Sequence, residues 1–510
     1  MADMWSATPS LAMAEMAVEM ALPQSRFMTW AAGGSSEGFM DLFSICDDVG
    51  MRTGVTVMPE YFQNEGVENV VARLAAAKVD MIATSPYVME PADEKTGSRE
   101  PPVDAGAGSV RLLDRTLWGK RELFVKTAPS FAPDKKLYEG LRYQPAAPTQ
   151  LTMREGGIIK AFLRAAQSRH IQTYLQVQAA IPPGYRVQFG GPVEDDKPRL
   201  PDGRVPPRRL ANNGSLASPH VLDYTLALTR DLVKQYPEID GIRFDWPEYP
   251  PYFLDDVFLD FGPHCQPAAA RLGFDFPRMQ KAVLELYRLM HGGLRNAHLE
   301  RFLQADGGRN AMLTSLIDSP GILDWLRFKG ALVSEYAMRL RETIPARIAL
   351  TFGTFPPPFS TVSGMQFSAL AKHATAIHCK LYTMHWPVIF RFYGDALMQA
   401  NPGLNEELLV RALSQWLEIQ DPPYSTRLAD YRYPEPDEAH PVGVEAQIRK
   451  VREAQKAAGA TPVFAFIHGY GPVSDFKQRL AAGRAASGHG VWVNRYGYLR
   501  NEKIALLGAE

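Results

Sequence analysis

The chain has 510 residues, 46% of them hydrophobic and 22% charged, and its 55 basic and 56 acidic side chains leave a net charge of −1. This is the composition of a globular protein with a large core, and near-neutrality removes the electrostatic case for nucleic acid or an acidic membrane surface as partner. No apolar run reaches the roughly 18 residues of a membrane span, and Cys46, Cys265 and Cys379 lie too far apart for a disulfide framework or a C-x-x-C metal site.

The N-terminus has no basic stretch followed by an apolar core, so a cytoplasmic location is expected. Residues 1–26 are rich in Met and Ala, 27–31 (FMTWA) read as a short strand and 37–49 as a helix closed by Gly50. Residues 1–52 are expected to be an N-terminal extension packing on the regular region that follows, with FMTWA as the alternative first strand of that region.

Regularity begins at Thr53. TGVTVMP (53–59) is strand-like, 67–77 carries apolar residues at helical spacing, and VDMIATSP (79–86) is a second strand. A strand–helix–strand order implies parallel pairing. Residues 88–150 form a long insertion with Trp118, Phe124, Phe131, Tyr138 and Tyr143 along it, expected to be ordered by those rings. A helix at 156–169 precedes a third strand, TYLQVQAAIPP (173–183), and a second insertion fills 184–218. Pro219 sits at a helix start, where its missing N–H costs nothing, and 221–235 is amphipathic.

Residues 239–252, IDGIRFDWPEYPPY, come next. Ile239, Ile242 and Phe244 mark a buried strand. Pro247, Pro250 and Pro251 stop further ladder pairing, because proline has no N–H to donate. Asp245 therefore stands at the carboxyl end of a fourth strand. Arg243 shares its face, since side chains two apart do, and is expected to keep the carboxylate ionised and oriented. Helices at 278–304 and 322–343 lead to IALTFGTFPPP (348–358) and AIHCKLYTMHW (376–386), the fifth and sixth strands. Helices at 404–417 and 443–458 precede TPVFAFIHGYGP (461–472), and a helix at 474–486 precedes GVWVNRYGYL (490–499). Eight strands with intervening helices predict an α/β fold, a (β/α)8 barrel over 53–510, with both insertions at its catalytic, C-terminal face.

The stretch DGIRFDWPEYPPY resembles the fourth-strand signature of glycoside-hydrolase TIM barrels. Gly241, Arg243 and Asp245 meet the G-x-R-x-D pattern of the alpha-amylase clan, and the resemblance extends over about Gly54 to Tyr498 in the order of strands and helices. It implies that Asp245 is the nucleophile. The fifth strand ends Thr351-Phe352-Gly353-Thr354, without the glutamate that clan uses as its acid, and the seventh strand lacks N-H-D. Glu248, on a proline-bounded loop three residues beyond Asp245, is the first candidate for the acid, and Glu60 after the first strand the second.

Each strand end offers a side chain to the barrel mouth. Besides the three carboxyls, the candidate substrate contacts are Arg243, Trp246, Tyr249, Tyr87, Gln178, Lys380, Tyr382, His385, Trp386, His468, Tyr470 and Asn494. Aromatic faces stack on sugar C–H faces, and amides and charges bond hydroxyls. Lys380, on an apolar strand, needs a carboxylate partner or a shifted pKa. No P-loop, no G-x-S-x-G, no H-x-H and no H-E-x-x-H is present, so no metal and no cofactor are expected. These residues predict a glycoside hydrolase acting on an oligosaccharide or glycoside. The alternatives are a sugar-binding barrel without turnover, or a sugar isomerase or aldolase on the same fold.

Overall fold

The computed structural model describes residues 50–102, 111–186, 190–304, 314 and 316–509. Residues 1–49, which contain most of the expected N-terminal extension and the FMTWA segment, lie outside them. Eleven strands are formed among the described residues. Eight of them, β1 (Arg52–Thr56), β2 (Met81–Thr84), β6 (Gln172–Gln178), β7 (Gly241–Asp245), β8 (Ala349–Thr354), β9 (Ala376–Leu381), β10 (Val463–His468) and β11 (Gly490–Asn494), close into one barrel. All neighbours are parallel and follow chain order, β11 returning to β1. With helices between the strands, this is the (β/α)8 barrel. None of the described helices is long and apolar enough to cross a membrane.

Strand periodicity divides the apolar residues into two cores. Leu175, Val177, Ile242, Phe244, Leu350, Phe352, Ile377, Cys379, Ile467 and Val491 face outward into the layer shared with the helices. Met81, Ala83, Tyr174, Ala376, Phe464, Phe466 and Trp492 fill the barrel interior. The same alternation turns Gln176, Gln178, Arg243, Asp245, Lys380, His468 and Asn494 inward, so the polar side chains stack above an aromatic plug. Gly54 is required by that plug. A Cβ at this position would lie 2.4 Å from the Trp492 ring.

Sequence and structure differ at three places. The sixth strand ends at Leu381, and a helix, His385–Ala400, starts at the residue expected to prolong it. The first strand ends at Thr56, and Glu60 stands on a short helix, Pro59–Glu65, begun by a proline in its first turn. The first insertion contains a small antiparallel sheet, with β5 (Leu123–Pro129) between β3 (Tyr87–Ala92) and β4 (Ser98–Glu100). Its short, alternating strands are interrupted by Pro and Gly, which hid them in the sequence.

The insertions are joined through one carboxylate. Asp196, fully buried, accepts hydrogen bonds from Ser218 Oγ at 2.6 Å, Tyr143 OH at 2.6 Å, Arg142 at 2.9 Å and His264 Nε2 at 2.8 Å. Those partners come from the first insertion, the second insertion and the segment after β7.

Gly54→Ala places a methyl inside the Trp492 contact distance, and overpacking of this kind costs about 1–3 kcal/mol. The expected outcome is a lower urea midpoint with an unchanged slope, read by tryptophan fluorescence.

Candidate active site

A cavity of about 220 Å³ opens at the carboxyl ends of the barrel strands. Its floor carries Gln176 and Gln178 from β6, Asp245 from β7, Tyr382 after β9, His468 from β10 and Asn494 from β11. Both insertions wall it, the first with Pro101 and Arg111 beside Tyr87, which precedes it, the second with Tyr185, Arg186 and Leu210. A larger groove, of about 610 Å³, lies over the small antiparallel sheet. It holds no side chain from a barrel strand, so the smaller cavity is the candidate site.

Asp245 is at its centre. The cation beside it is Lys380, whose Nζ lies 2.5 Å from Asp245 Oδ1. This corrects the expectation that Arg243 holds the carboxylate. Two residues earlier on the strand means about 6–7 Å deeper in the barrel. There the Arg243 guanidinium, fully buried, donates to Gln176 at 2.9 Å and to Thr56, and lies over the rings of Phe466 and Trp492 at 4.6 and 4.5 Å. Burial pulls Arg243 down to about 10, which leaves it charged at neutral pH. Arg243 is part of the plug and does not line the cavity.

Gly353 makes the Asp245–Lys380 pair possible. It faces Asp245 across the β7–β8 ladder, and a Cβ there would sit 2.8 Å from Asp245 Oδ1 and 3.3 Å from Lys380 Cε. The fifth strand thus supplies space where a glutamate was sought. Trp246 follows Asp245 with φ of 55°, a left-handed conformation that side chains other than glycine rarely adopt. The turn lays its indole 5.2 Å from Lys380 Nζ and against the cavity.

Glu248 is buried completely. Its Oε1 accepts from the Phe355 backbone N–H at 2.9 Å, and its Oε2 has no hydrogen-bond partner among the described residues. Burial raises this carboxyl to about 8, against the opposing charge of Lys380, with Asp245 adding to the rise. At neutral pH it is therefore a carboxylic acid. Glu248 lies behind the lining residues, on a loop fixed by Asn213, which donates to the Glu248 carbonyl at 3.1 Å.

Glu60 is also buried behind the lining. Tyr87 OH donates to its Oε2 at 3.2 Å, and Arg495 stands 3.5 Å from its Oε1. Burial and the neighbouring Glu100 raise its pKa. Glu100 bridges Arg186 and Arg495.

The cavity brings together Tyr87, Gln178, Asp245, Trp246, Tyr382, His385, His468 and Asn494 from the sequence candidates. It does not include Tyr249, Trp386 or Tyr470. Tyr249 is a buried anchor, donating to Asp260 at 3.1 Å and accepting from Leu216 N–H at 3.0 Å. Trp386 packs against Phe359 on the outside of the barrel, and Tyr470 donates to the Pro434 carbonyl at 2.9 Å. Residues missed in the sequence are Arg111, Tyr185 and Arg186, which sit in insertions without periodic pattern, and Arg495. Arg495 follows Asn494 directly, so its place at a strand end was a usable signal.

Two histidines in the cavity are neutral. His468 Nδ1 accepts from the Tyr470 N–H at 3.1 Å, which leaves the proton on Nε2. Burial, then Arg111, holds its pKa well below the usual range, and the same two causes act in the same order on His385. Among the described residues no cluster of three or more His, Cys, Asp or Glu could hold a metal ion. Among the described residues, buried polar atoms of three lining residues lack a hydrogen-bond partner, Gln178 Oε1, Tyr185 OH and Arg495 Nε, while Asp245 Oδ1 has its ion pair with Lys380. Buried polar atoms are nearly always bonded, so this wall is built for a polar occupant.

No family model and no curated protein matches the chain. Solved structures similar to it include a beta-galactosidase from the psychrophilic Marinomonas ef1 (TM-score 0.45, 11% identity, 90% of this chain and 58% of that one). A beta-galactosidase from Bacillus circulans sp. alkalophilus gives TM-score 0.45 at 10% identity over 88% of this chain and 50% of that one. The catalytic domain of beta-amylase from Paenibacillus polymyxa gives 0.39 at 11% identity over 90% and 95%. The chain spans between half and three fifths of the two beta-galactosidases it resembles.

The raised pKa of Glu248 makes stability depend on pH. The folded chain holds this proton up to about 8, whereas the unfolded chain releases it near 4.5. The contribution is complete below the unfolded value and is lost as pH rises through the folded one. Glu248→Gln keeps the neutral form at every pH. Its melting temperature is expected to exceed that of the wild type at pH 9 and to converge with it at pH 5, as scanning calorimetry would show.

Proposed function

We propose that the protein is a glycoside hydrolase whose reaction centre is Asp245. The observation that carries this reading is the pair of carboxyls at and just beyond the end of β7. Asp245 is paired with an ammonium, while Glu248 is kept protonated by burial. Glycosidic hydrolysis needs one ionised and one protonated carboxyl, and the raised pKa of Glu248 fits it to the protonated role. Asp245 is the nucleophile of a retaining enzyme or the base of an inverting one. Water adds across the bond, its oxygen to the anomeric carbon and a proton to the leaving oxygen. Glu248 is the first candidate to supply that proton, since its Oε2 is uncommitted, and Glu60 is the second. Trp246 and Tyr382 offer ring faces to the sugar, and Tyr87, Gln178, His385, His468 and Asn494 offer hydrogen bonds. The volume, well under the roughly 300–1,000 Å³ of drug-sized ligand sites, suits a single sugar ring below the mouth.

Lys380 favours a second reading, a Schiff-base aldolase. It stands on the sixth barrel strand with a carboxylate at 2.5 Å and three aromatic rings, those of Trp246, Phe355 and Tyr382, within 6.0 Å. Borohydride with sugar aldehydes or small keto acids would then trap a covalent adduct on Lys380. Hydrolysis of aryl glycosides without any trapped adduct selects the hydrolase.

Asp245→Asn is expected to lower kcat/KM on its best aryl glycoside by at least ~1,000-fold, since the charged group of the reaction is removed. Near-normal turnover would refute the assignment. For the acid, kcat/KM should fall as pH rises through about 8, the value that burial gives Glu248. Glu248→Gln should abolish that limb and cripple substrates with poor leaving groups, while sparing activated aryl leaving groups. Equal loss on both kinds moves the acid elsewhere.

A further inference from the structure

The strand order of the barrel sets two walls of the cavity against each other. β7 and β11 are four places apart whichever way the ring of eight is counted. Asp245, the last residue of β7, and Arg495, the first after β11, therefore stand on opposite sides of the mouth, and both line the cavity. Arg186, from the second insertion, reaches the Arg495 side, because the buried Glu100 carboxylate is bonded to both guanidiniums. Arg111 belongs to that side as well. It lies over the rings of Tyr433 and Tyr470, at 4.5 and 5.0 Å. Tyr470 packs edge-on against Tyr498 at 5.6 Å, and Tyr498 meets His468, the ladder partner of Asn494, at 5.3 Å. The described lining thus holds three guanidiniums and one carboxylate, and that carboxylate, Asp245, is matched by Lys380 at 2.5 Å. Arg495 bridges Glu100 and Glu60 with a single nitrogen, Nη2, of its five-donor fork. Its Nε is buried and has no hydrogen-bond partner among the described residues. Burial works against the charge of Arg495, but Glu100 and Glu60 outweigh it, so the guanidinium is held charged. A buried donor of a charged group without an acceptor is costlier than a neutral one.

We propose that the arginine wall opposite Asp245 binds an anionic substituent of the sugar, a carboxylate or a sulfate or phosphate ester, at the ring edge remote from the carbon that Asp245 attacks. The inference rests on the glycoside hydrolase reading and gives it a substrate class, acidic glycosides. A sugar ring seated with its anomeric carbon at Asp245 turns its opposite edge, carbon 4 and the substituent on carbon 5, toward β11. A 6-carboxylate or 6-ester there meets Arg495 and Arg186. Guanidinium forks match the paired oxygens of such anions, and charge-assisted bonds of this kind are about twice as strong as neutral ones. A neutral hydroxymethyl group at the same place brings no charge to the wall.

The test sets 4-nitrophenyl glucuronides and galacturonides, and the 6-phosphates and 6-sulfates of the glucosides and galactosides, against the neutral parents, in both anomers, on the full chain. One acidic class is expected to exceed its neutral parent by at least ~100-fold in kcat/KM, and the class that leads identifies the anion. Arg495→Lys keeps a charge beside Glu100 and Glu60 but removes the fork. It should lower the acidic-to-neutral ratio of kcat/KM by at least ~10-fold, chiefly through KM. Arg186→Lys should act in the same direction. Arginines with only a structural role would slow both substrates together, so an unchanged ratio in both folded variants overturns the assignment. Titration calorimetry with glucuronate against glucose, galacturonate against galactose, and the 6-phosphates and 6-sulfates of both sugars supplies a readout without turnover. Binding of an acidic sugar alone, with no hydrolysis, sustains the anion site and removes the hydrolase reading. Hydrolysis at equal rates on acidic and neutral substrates removes the anion site and sustains the hydrolase. Neither binding nor turnover with any of these sugars overturns both.

Discussion

The ion pair between Asp245 and Lys380 is the constraint on which the barrel mouth is arranged. Two opposite charges taken out of water lose hydration that their attraction recovers only with good geometry. Each neighbouring choice supports that geometry. Glycine on the adjacent strand leaves room for the carboxylate. Trp246 and Tyr382 present ring faces to the ammonium, where the negative quadrupole replaces part of the lost water. Glu248 stays uncharged beside them because burial raises its pKa further than the nearby Lys380 lowers it. One layer deeper on the same strand, Arg243 is held by Gln176, Thr56 and two aromatic faces. The interior therefore alternates aromatic plug, guanidinium and ion pair, and only the last of these reaches the cavity.

That layering explains what was legible in the sequence. The eight barrel strands are buried β-formers bounded by Gly and Pro, so period and punctuation located them. The inward set, Gln178, Asp245, His468 and Asn494, followed from counting by twos back from each strand end. Depth was not legible. Arg243 and Asp245 share a face, and a sequence reads them as partners. The structure separates them by one storey and gives Asp245 a cation from a strand more than a hundred residues away. Lys380 was read in the sequence as needing a carboxylate, but which carboxylate is settled only by closure of the barrel.

Loops were less readable still. Tyr249 and Trp386 look like sugar platforms because they are aromatic and adjacent to a strand end. Each is turned away by the backbone, Tyr249 by its bond with Asp260 and Trp386 by a helix that begins where a strand was expected to continue. Tyr185 and Arg111 carry no periodic signal and reach the cavity through long insertions. Their positions depend on tertiary hydrogen bonds such as Gln178 N–H to Gly184, which no local pattern encodes.

The carboxylate of Asp196 has an evolutionary consequence. Arg142 and Tyr143, Ser218, and His264 all converge on it, so three segments distant in sequence share one anchor. Exchange of the second insertion, which carries Asp196, for a foreign loop would strand Arg142, Tyr143 and His264, and exchange of either other segment would remove donors from the buried carboxylate. The walls of the cavity are thus heritable as a block, and recombination inside the block is penalised. Diversification is channelled instead to inward-facing positions such as Tyr185 and Leu210, which can change without touching the anchor. A lineage built on this scaffold would shift its substrate by single substitutions on a fixed frame, with loop replacement closed to it.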